Sequence, residues 1–134
     1  MKIGFTGTSS GMTPAQKDTL AKVLPVNSEL HHGDCIGSDA ECHVLARAYH
    51  CHVVIHPHNL GKYKKAFCQG DEERPAAHPL TRNNNIVEET SWLIATPKGF
   101  IEELRSGTWS TVRRARKRNR KITIIWPDGN MKEE

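Results

Sequence analysis

Long apolar runs are missing from this sequence: no stretch approaches the roughly 20 residues that a membrane-crossing helix needs. The opening MKIGFTG runs into a glycine-rich loop within a few residues, so it cannot supply the apolar core of a signal peptide. A cytoplasmic location without a membrane partner is therefore expected. Metal-binding spacings are missing as well. There are four cysteines (Cys35, Cys42, Cys51, Cys68) and eight histidines (His31, His32, His43, His50, His52, His56, His58, His78), but neither C-x-x-C nor H-E-x-x-H occurs. Without a secretory signal, reduced thiols are expected rather than disulfides. No metal and no cofactor is anticipated.

What remains is an ordinary globular composition, 37% hydrophobic and 25% charged over 134 residues, enough for one domain spanning 1–134. Net charge is +4, and much of the excess lies in the run Arg113-Arg114-Ala115-Arg116-Lys117-Arg118-Asn119-Arg120-Lys121. That run reads either as a solvated helix face complementing the helix dipole or as a single-stranded nucleic-acid patch. Interleaved aromatics, which would stack bases, are absent from it.

Short apolar segments alternate with helical ones, a pattern that predicts βαβ units. Strands are expected at Lys2–Thr6, about Ser28–His32, Cys51–His56, Ser91–Thr96 and Lys121–Trp126. A helix should open at Thr13-Pro14-Ala15-Gln16, where Thr13 and Gln16 form a capping box and Pro14 suits the first turn, with Leu20, Val23 and Leu24 as its stripe. A second should open at Ser38 with Glu41 completing a capping box, turning Ala40, Val44, Leu45 and Ala48 inward. Two more are expected at Thr81–Glu89 and Thr108–Asn119. Residues 57–79 show no periodicity and read as one long irregular connection. The expected class is α/β: a Rossmann-like, doubly wound, mainly parallel five-stranded sheet with helices on both faces.

In such sheets ligands bind outside the carboxyl ends of the strands, where strand order reverses. Three strand-to-helix turns here are rich in glycine and small hydroxyl residues: Gly7-Thr8-Ser9-Ser10-Gly11, Gly33–Asp39 and Ser106-Gly107-Thr108. Glycine and serine make ordinary turns and caps. They also let backbone amides approach a phosphate. The candidate ligand-binding residues are accordingly Gly7, Thr8, Ser9, Gly33, Asp34, Gly37, Ser38, Asp39, Pro57, Arg82, Asn83, Arg105, Ser106, Gly107, Thr108 and Trp109. Arg82 and Arg105 could grip phosphate oxygens in a fork. Asp39 either caps its helix or accepts a ribose hydroxyl. Trp109 reads as a buried helix aromatic or a base-stacking ring. Arg82 and Asp39 are the candidates for any catalysis.

The segments GTSSGMTPAQ, HHGDCIGSDAECHVLA, LTRNNNIVEETSWLIATP and RSGTWSTVRRAR, in this order, resemble the SLOG superfamily. That superfamily unites the DNA-processing protein A family with the Lonely Guy-type phosphoribohydrolases, and the closest look is to its small stand-alone bacterial and phage-associated members. The resemblance implies a nucleotide-derived ligand among these loops and a homodimer paired through helices beside the site. The phosphoribohydrolases carry P-G-G-x-G-T-x-x-E with a catalytic glutamate, and here Thr111 stands in that glutamate's place. Arg105-Ser106-Gly107-Thr108 is similar instead to the R-S-G-S/T turn of DNA-processing protein A, whose extra domains are not expected here. Three functions follow from this reading: a nucleotide-binding sensor, carrier or sequestering module; a nucleoside-monophosphate N-glycosidase; and a single-stranded nucleic-acid binder.

Overall fold

The computed structural model describes residues 1–134. Its chain runs β1 (Lys2–Gly7), α1 (Pro14–Val23), β2 (Glu29–His32), α2 (Ser38–Ala48), β3 (His52–Ile55), β4 (Glu72–Glu73), α3 (Pro79–Glu89), β5 (Trp92–Thr96), α4 (Gly107–Lys117), β6 (Lys121–Ile125) and β7 (Met131–Glu133). The strands form one sheet in the order β4-β3-β2-β1-β5-β6-β7, parallel except for β7. The Rossmann-like α/β class is as expected, but the sheet has seven strands rather than five. The two extra strands are short, charged edge segments with no apolar alternation, so no hydrophobic pattern announced them.

Side-chain alternation along the central strands divides the core. Ile3, Leu30, Val53, Ile55, Trp92 and Ile94 pack with Leu20 of α1 and with Cys42 and Ala46 of α2. Leu93, Ala95, Ile122 and Ile124 pack with Val87 of α3 and with Trp109, Val112 and Ala115 of α4. β5 is buried along its whole length, as a strand covered on both faces must be. All four cysteines are free.

Helix ends follow their local chemistry, with one exception. Thr13 and Gln16 form the expected reciprocal box, and Pro14 opens α1. Ser106 caps α4 by accepting from the Trp109 amide. α3 begins at Pro79, two residues earlier than expected, because Pro79 fits the first turn and His78 Nδ1 accepts the Leu80 amide. α2 has no capping box: Gly37 is its N-cap and makes no side-chain cap bond. Ser38 Oγ instead donates to the Thr8 carbonyl, and Glu41 Oε1 accepts the Met12 amide. With those side chains turned toward the β1–α1 loop, the buried stripe of α2 is Ser38, Asp39, Cys42 and Ala46. Val44 and Ala48, expected inside, lie exposed, while Ala40 and Leu45 are half-buried.

Gln16, almost fully buried, ties α1 to both neighbouring strand ends. Its Nε2 donates to the Pro97 carbonyl (2.9 Å) and the Ile125 carbonyl (3.0 Å). Replacing Gln16 with Met keeps the volume but leaves both carbonyls without a donor. Each buried unpaired polar group costs about 1–3 kcal/mol, so Gln16→Met should lower the unfolding free energy by about 2–4 kcal/mol in a urea titration. A loss below about 0.5 kcal/mol would contradict this role.

Candidate functional site

Strand order reverses between β1 and β5, and a cleft of about 500 Å³ opens at their carboxyl ends. Its wall contains Gly7–Ser10 at and beyond the end of β1, Gly33, Cys35 and Asp39 after β2, and Arg82 and Asn83 from α3. Ser106–Trp109 at the start of α4 close the far side, and Lys64 and Lys98 stand at the rim. All three small-residue turns therefore meet at one place. Asp34, Gly37, Ser38, Pro57 and Arg105 do not line it. Asp34 and Pro57 border a separate hollow, and Arg105 is exposed on the loop before α4.

The turns contribute unequally. The amides of Ser9, Gly107 and Thr108 have no acceptor within the protein, and the last two stand at the positive end of α4. The Gly33–Asp39 turn differs from the expected cradle. Asp39 Oδ2 takes the Gly33 amide (3.2 Å) and the Cys35 amide (3.1 Å). The Asp34 amide goes to His32 Nδ1, the Ile36 amide to the Lys64 carbonyl and the Ser38 amide to the Thr8 carbonyl. This turn acts as a clasp. Gly37 adopts φ 83°, the left-handed region, and a Cβ there would collide with the Ser9 backbone.

Arg82 is the electrostatic centre. It is 8% exposed, and no carboxylate lies within 4.0 Å of its guanidinium. Nη1 donates to the Gly33 carbonyl (2.8 Å) and the His56 carbonyl (3.3 Å), while Nε donates to Asn83 Oδ1 (2.9 Å). Nη2 has only the distant Cys35 sulfur, at 4.0 Å, so its hydrogens remain available. A Cβ on Gly33 would run into this guanidinium, which is why a residue without a side chain stands there. Asp39 is pushed up to about 6 by burial, against the pull of Arg82 and of the Cys35 and Gly33 amides. Its Oδ1 makes no bond within the protein.

Trp109 is buried, packs 5.9 Å from the Trp126 ring and lies beneath Arg116. Core packing thus occupies both its neighbours, and the residue borders the cleft without presenting a free stacking face. Thr111 is buried, and its hydroxyl donates to the Gly107 carbonyl inside the helix, so it presents no reactive group. Along the basic run, Arg113 and Arg116 pair with Glu102, Arg116 also with Glu134, and Arg118 with Glu88. Arg120 donates to the Val87 and Glu88 carbonyls. These partners favour the solvated-helix-face reading over a free polyanion patch.

Lys64 and Lys98 escaped sequence reasoning. Lys98 follows the carboxyl end of β5, where the strand-end rule would have found it. Lys64 lies in the unpatterned 57–79 segment, folds back with φ 49° and reaches Ser9 Oγ at 3.4 Å. Nothing in local spacing announces that contact.

Fold and cleft together define a Rossmann-like α/β chain with its opening at the topological switch point. No protein-family model matches the chain, and no curated protein matches it in sequence. Among solved structures it is similar to the molybdenum cofactor binding protein from the phototrophic bacterium Rippkaea orientalis. The TM-score is 0.67 at 18% identity, covering 92% of this chain and 74% of the other. That likeness establishes the fold.

Buried titratable groups give the molecule a defined acid response. Burial, aided by His43, holds His32 at about 3, and burial, aided by His31, holds His56 at about 4, both below 6.5. Each ring takes up a proton in the unfolded chain before it does so in the native one. Their stabilisation is whole above about 6.5 and is lost as pH falls toward those lower values. Asp39 acts oppositely, contributing below its unfolded value of 3.8 and losing that contribution as pH rises through about 6. Two rings outweigh one carboxyl. Unfolding free energy should therefore drop by more than about 1 kcal/mol from pH 6.5 to 4.5 in urea titrations, and more steeply in Asp39→Asn. A flat profile would contradict neutral buried rings.

Proposed function

We propose that this cleft binds a phosphate-bearing nucleotide or nucleotide-derived small molecule, and that the protein serves as a sensor, carrier or sequestering module for it. One observation carries the reading: a buried guanidinium without a carboxylate partner faces the same space as the unpaired amides of Ser9, Gly107 and Thr108. A buried cation held only by carbonyls is satisfied best by an anion. Amides at a helix start supply the matching donors. Lys64 and Lys98 add positive charge at the rim, and Asp39 Oδ1 offers an acceptor for a sugar hydroxyl. The SLOG resemblance of these turns supports the same ligand class. So does the neighbouring fold, whose protein is described as binding the molybdenum cofactor.

Binding is favoured over turnover because the position of the phosphoribohydrolase glutamate is filled by the inward-facing, helix-bonded Thr111. N-glycosidic hydrolysis is the second reading, motivated by two carboxylates, Asp39 and Glu103, on the cleft wall. Such chemistry needs a general acid or a carboxylate stabilising an oxocarbenium-like centre.

A thermal-shift panel of AMP, ADP-ribose, NAD, cyclic nucleotides and the molybdenum cofactor, followed by calorimetry, tests the proposal. At least one phosphate-bearing compound should bind at one per chain. Arg82→Lys, which keeps the charge and loses the fork, should weaken it about 10–100-fold. The surface variant Lys98→Ala should weaken it about 3–10-fold, with a shallower salt dependence. No binder to a folded protein would overturn the reading. Release of free base, abolished in Glu103→Gln or Asp39→Asn, would replace it with the hydrolytic one.

A further inference from the structure

Away from the cleft, the α3 face of the sheet carries two histidines in a buried, unusually polar setting. His31 points to this face from β2, while its neighbour His32 points to the other and meets His43 of α2. His56 follows β3, and Glu89 ends α3. Both imidazoles are buried, at 0% and 2% exposure, and their Nδ1 (His31) and Nε2 (His56) atoms are 2.8 Å apart.

We propose that His31, His56 and Glu89 form a binding site for a divalent transition-metal ion of the zinc class, with one coordination position left to solvent. Nδ1 of His31, Nε2 of His56 and one oxygen of Glu89 all lie within 4.8 Å of one another. Zinc bonds of about 2.0–2.2 Å place tetrahedral ligand atoms about 3.3 Å apart. The His31–His56 separation of 2.8 Å and the His56–Glu89 separation of 3.7 Å bracket that value, so those two pairs need adjustments of about half an ångström, and the third pair lies within 4.8 Å.

The surroundings match those of a metal-binding imidazole. His31 Nε2 donates to Glu29 Oε2 at 2.7 Å, which fixes the tautomer and leaves Nδ1 with a bare lone pair directed at the site. Arg74 holds Glu89, chiefly through Oε1 at 2.8 and 3.0 Å with a longer 3.3 Å contact to Oε2, and so orients the carboxylate. Its own charge is offset by Glu72 as well as by Glu89. Before binding, the hydrogen between the two rings sits on His56 Nε2; binding requires it on Nδ1 instead, a tautomer exchange through solvent that releases no net proton, and Nδ1 has no partner within the protein.

Two other clusters fit a metal less well. In the set His32, His43 and Cys68, His32 Nδ1 already accepts the Asp34 amide at 2.9 Å. Its Nε2 must then carry the hydrogen that goes to His43 Nδ1, and it has no lone pair to offer. Burial and the neighbouring Asp34 push the Cys68 thiol up to about 12, so it keeps its proton. The set Glu29, His52 and Glu72 is exposed and contains one imidazole. The ligands of the favoured site come from three elements far apart in the chain, which is why a search for close-spaced motifs predicts no metal.

Chelator-treated protein titrated with Zn²⁺ by calorimetry, and with Co²⁺ by visible absorption, tests the site. Expected are one ion per chain, a raised thermal midpoint and a Co²⁺ spectrum without a thiolate charge-transfer band. Glu89→Gln, half-exposed and still able to accept from Arg74, should fold normally and bind at least about tenfold more weakly. Glu29→Gln should weaken binding by about 10–100-fold through the ring it braces. Cys68→Ser should leave affinity unchanged. Absence of stoichiometric binding, wild-type affinity in Glu89→Gln, or loss of binding in Cys68→Ser would each overturn the assignment.

Discussion

A guanidinium buried without a carboxylate beside it constrains everything around it. Arg82 is held by the carbonyl oxygens of Gly33 and His56, which end two adjacent strands, and by the side chain of Asn83 on its own helix. Those bonds lock α3 onto the carboxyl end of the sheet, and they leave the positive charge uncancelled where the strand order turns over. Such a charge costs several kcal/mol to remove from water unless something negative meets it. Asp39 meets it only at a distance, with one oxygen already committed to the Gly33 and Cys35 amides.

The remaining turns are organised by that commitment. Because Asp39 and His32 consume the amides after β2, this loop serves as a buttress for the loop after β1: Thr8 receives both the amide and the hydroxyl of Ser38, and Met12 donates to Glu41. The β1–α1 loop, fixed from behind, keeps its Ser9 amide unpaired, and the start of α4 faces it with two more. Rigidity on one side and open donors on the other are the two properties that an anion seat requires.

The sequence conveyed most of the frame. Apolar runs such as Trp92–Thr96 and Lys121–Ile125 read as strands of a sheet covered on both faces, and the Thr13–Gln16 box marked its helix correctly. What could not be read was where polar side chains spend their hydrogen bonds. Ser38 and Glu41 have the spacing of a cap, yet both serve a loop almost thirty positions away. Asp39 was legible as a cap or a hydroxyl acceptor, whereas its grip on two amides of its own turn depends on the strand-end geometry. Lys64, His31 and His56 likewise acquire their neighbours from tertiary packing alone, and β4 and β7 are too short and too charged to leave a periodic trace.

Those two short strands have a consequence for how the molecule behaves among copies of itself. Each flank of the sheet ends in a stub whose side chains are Glu72 and Glu73 on one side and Met131, Lys132 and Glu133 on the other. A foreign backbone seeking to extend the sheet would meet few open amide and carbonyl groups, and it would have to approach through ionised side chains. The hydrophobic interior strands are thereby screened from edgewise recruitment into fibrillar stacks, a form of colloidal insurance built into the margins of the fold.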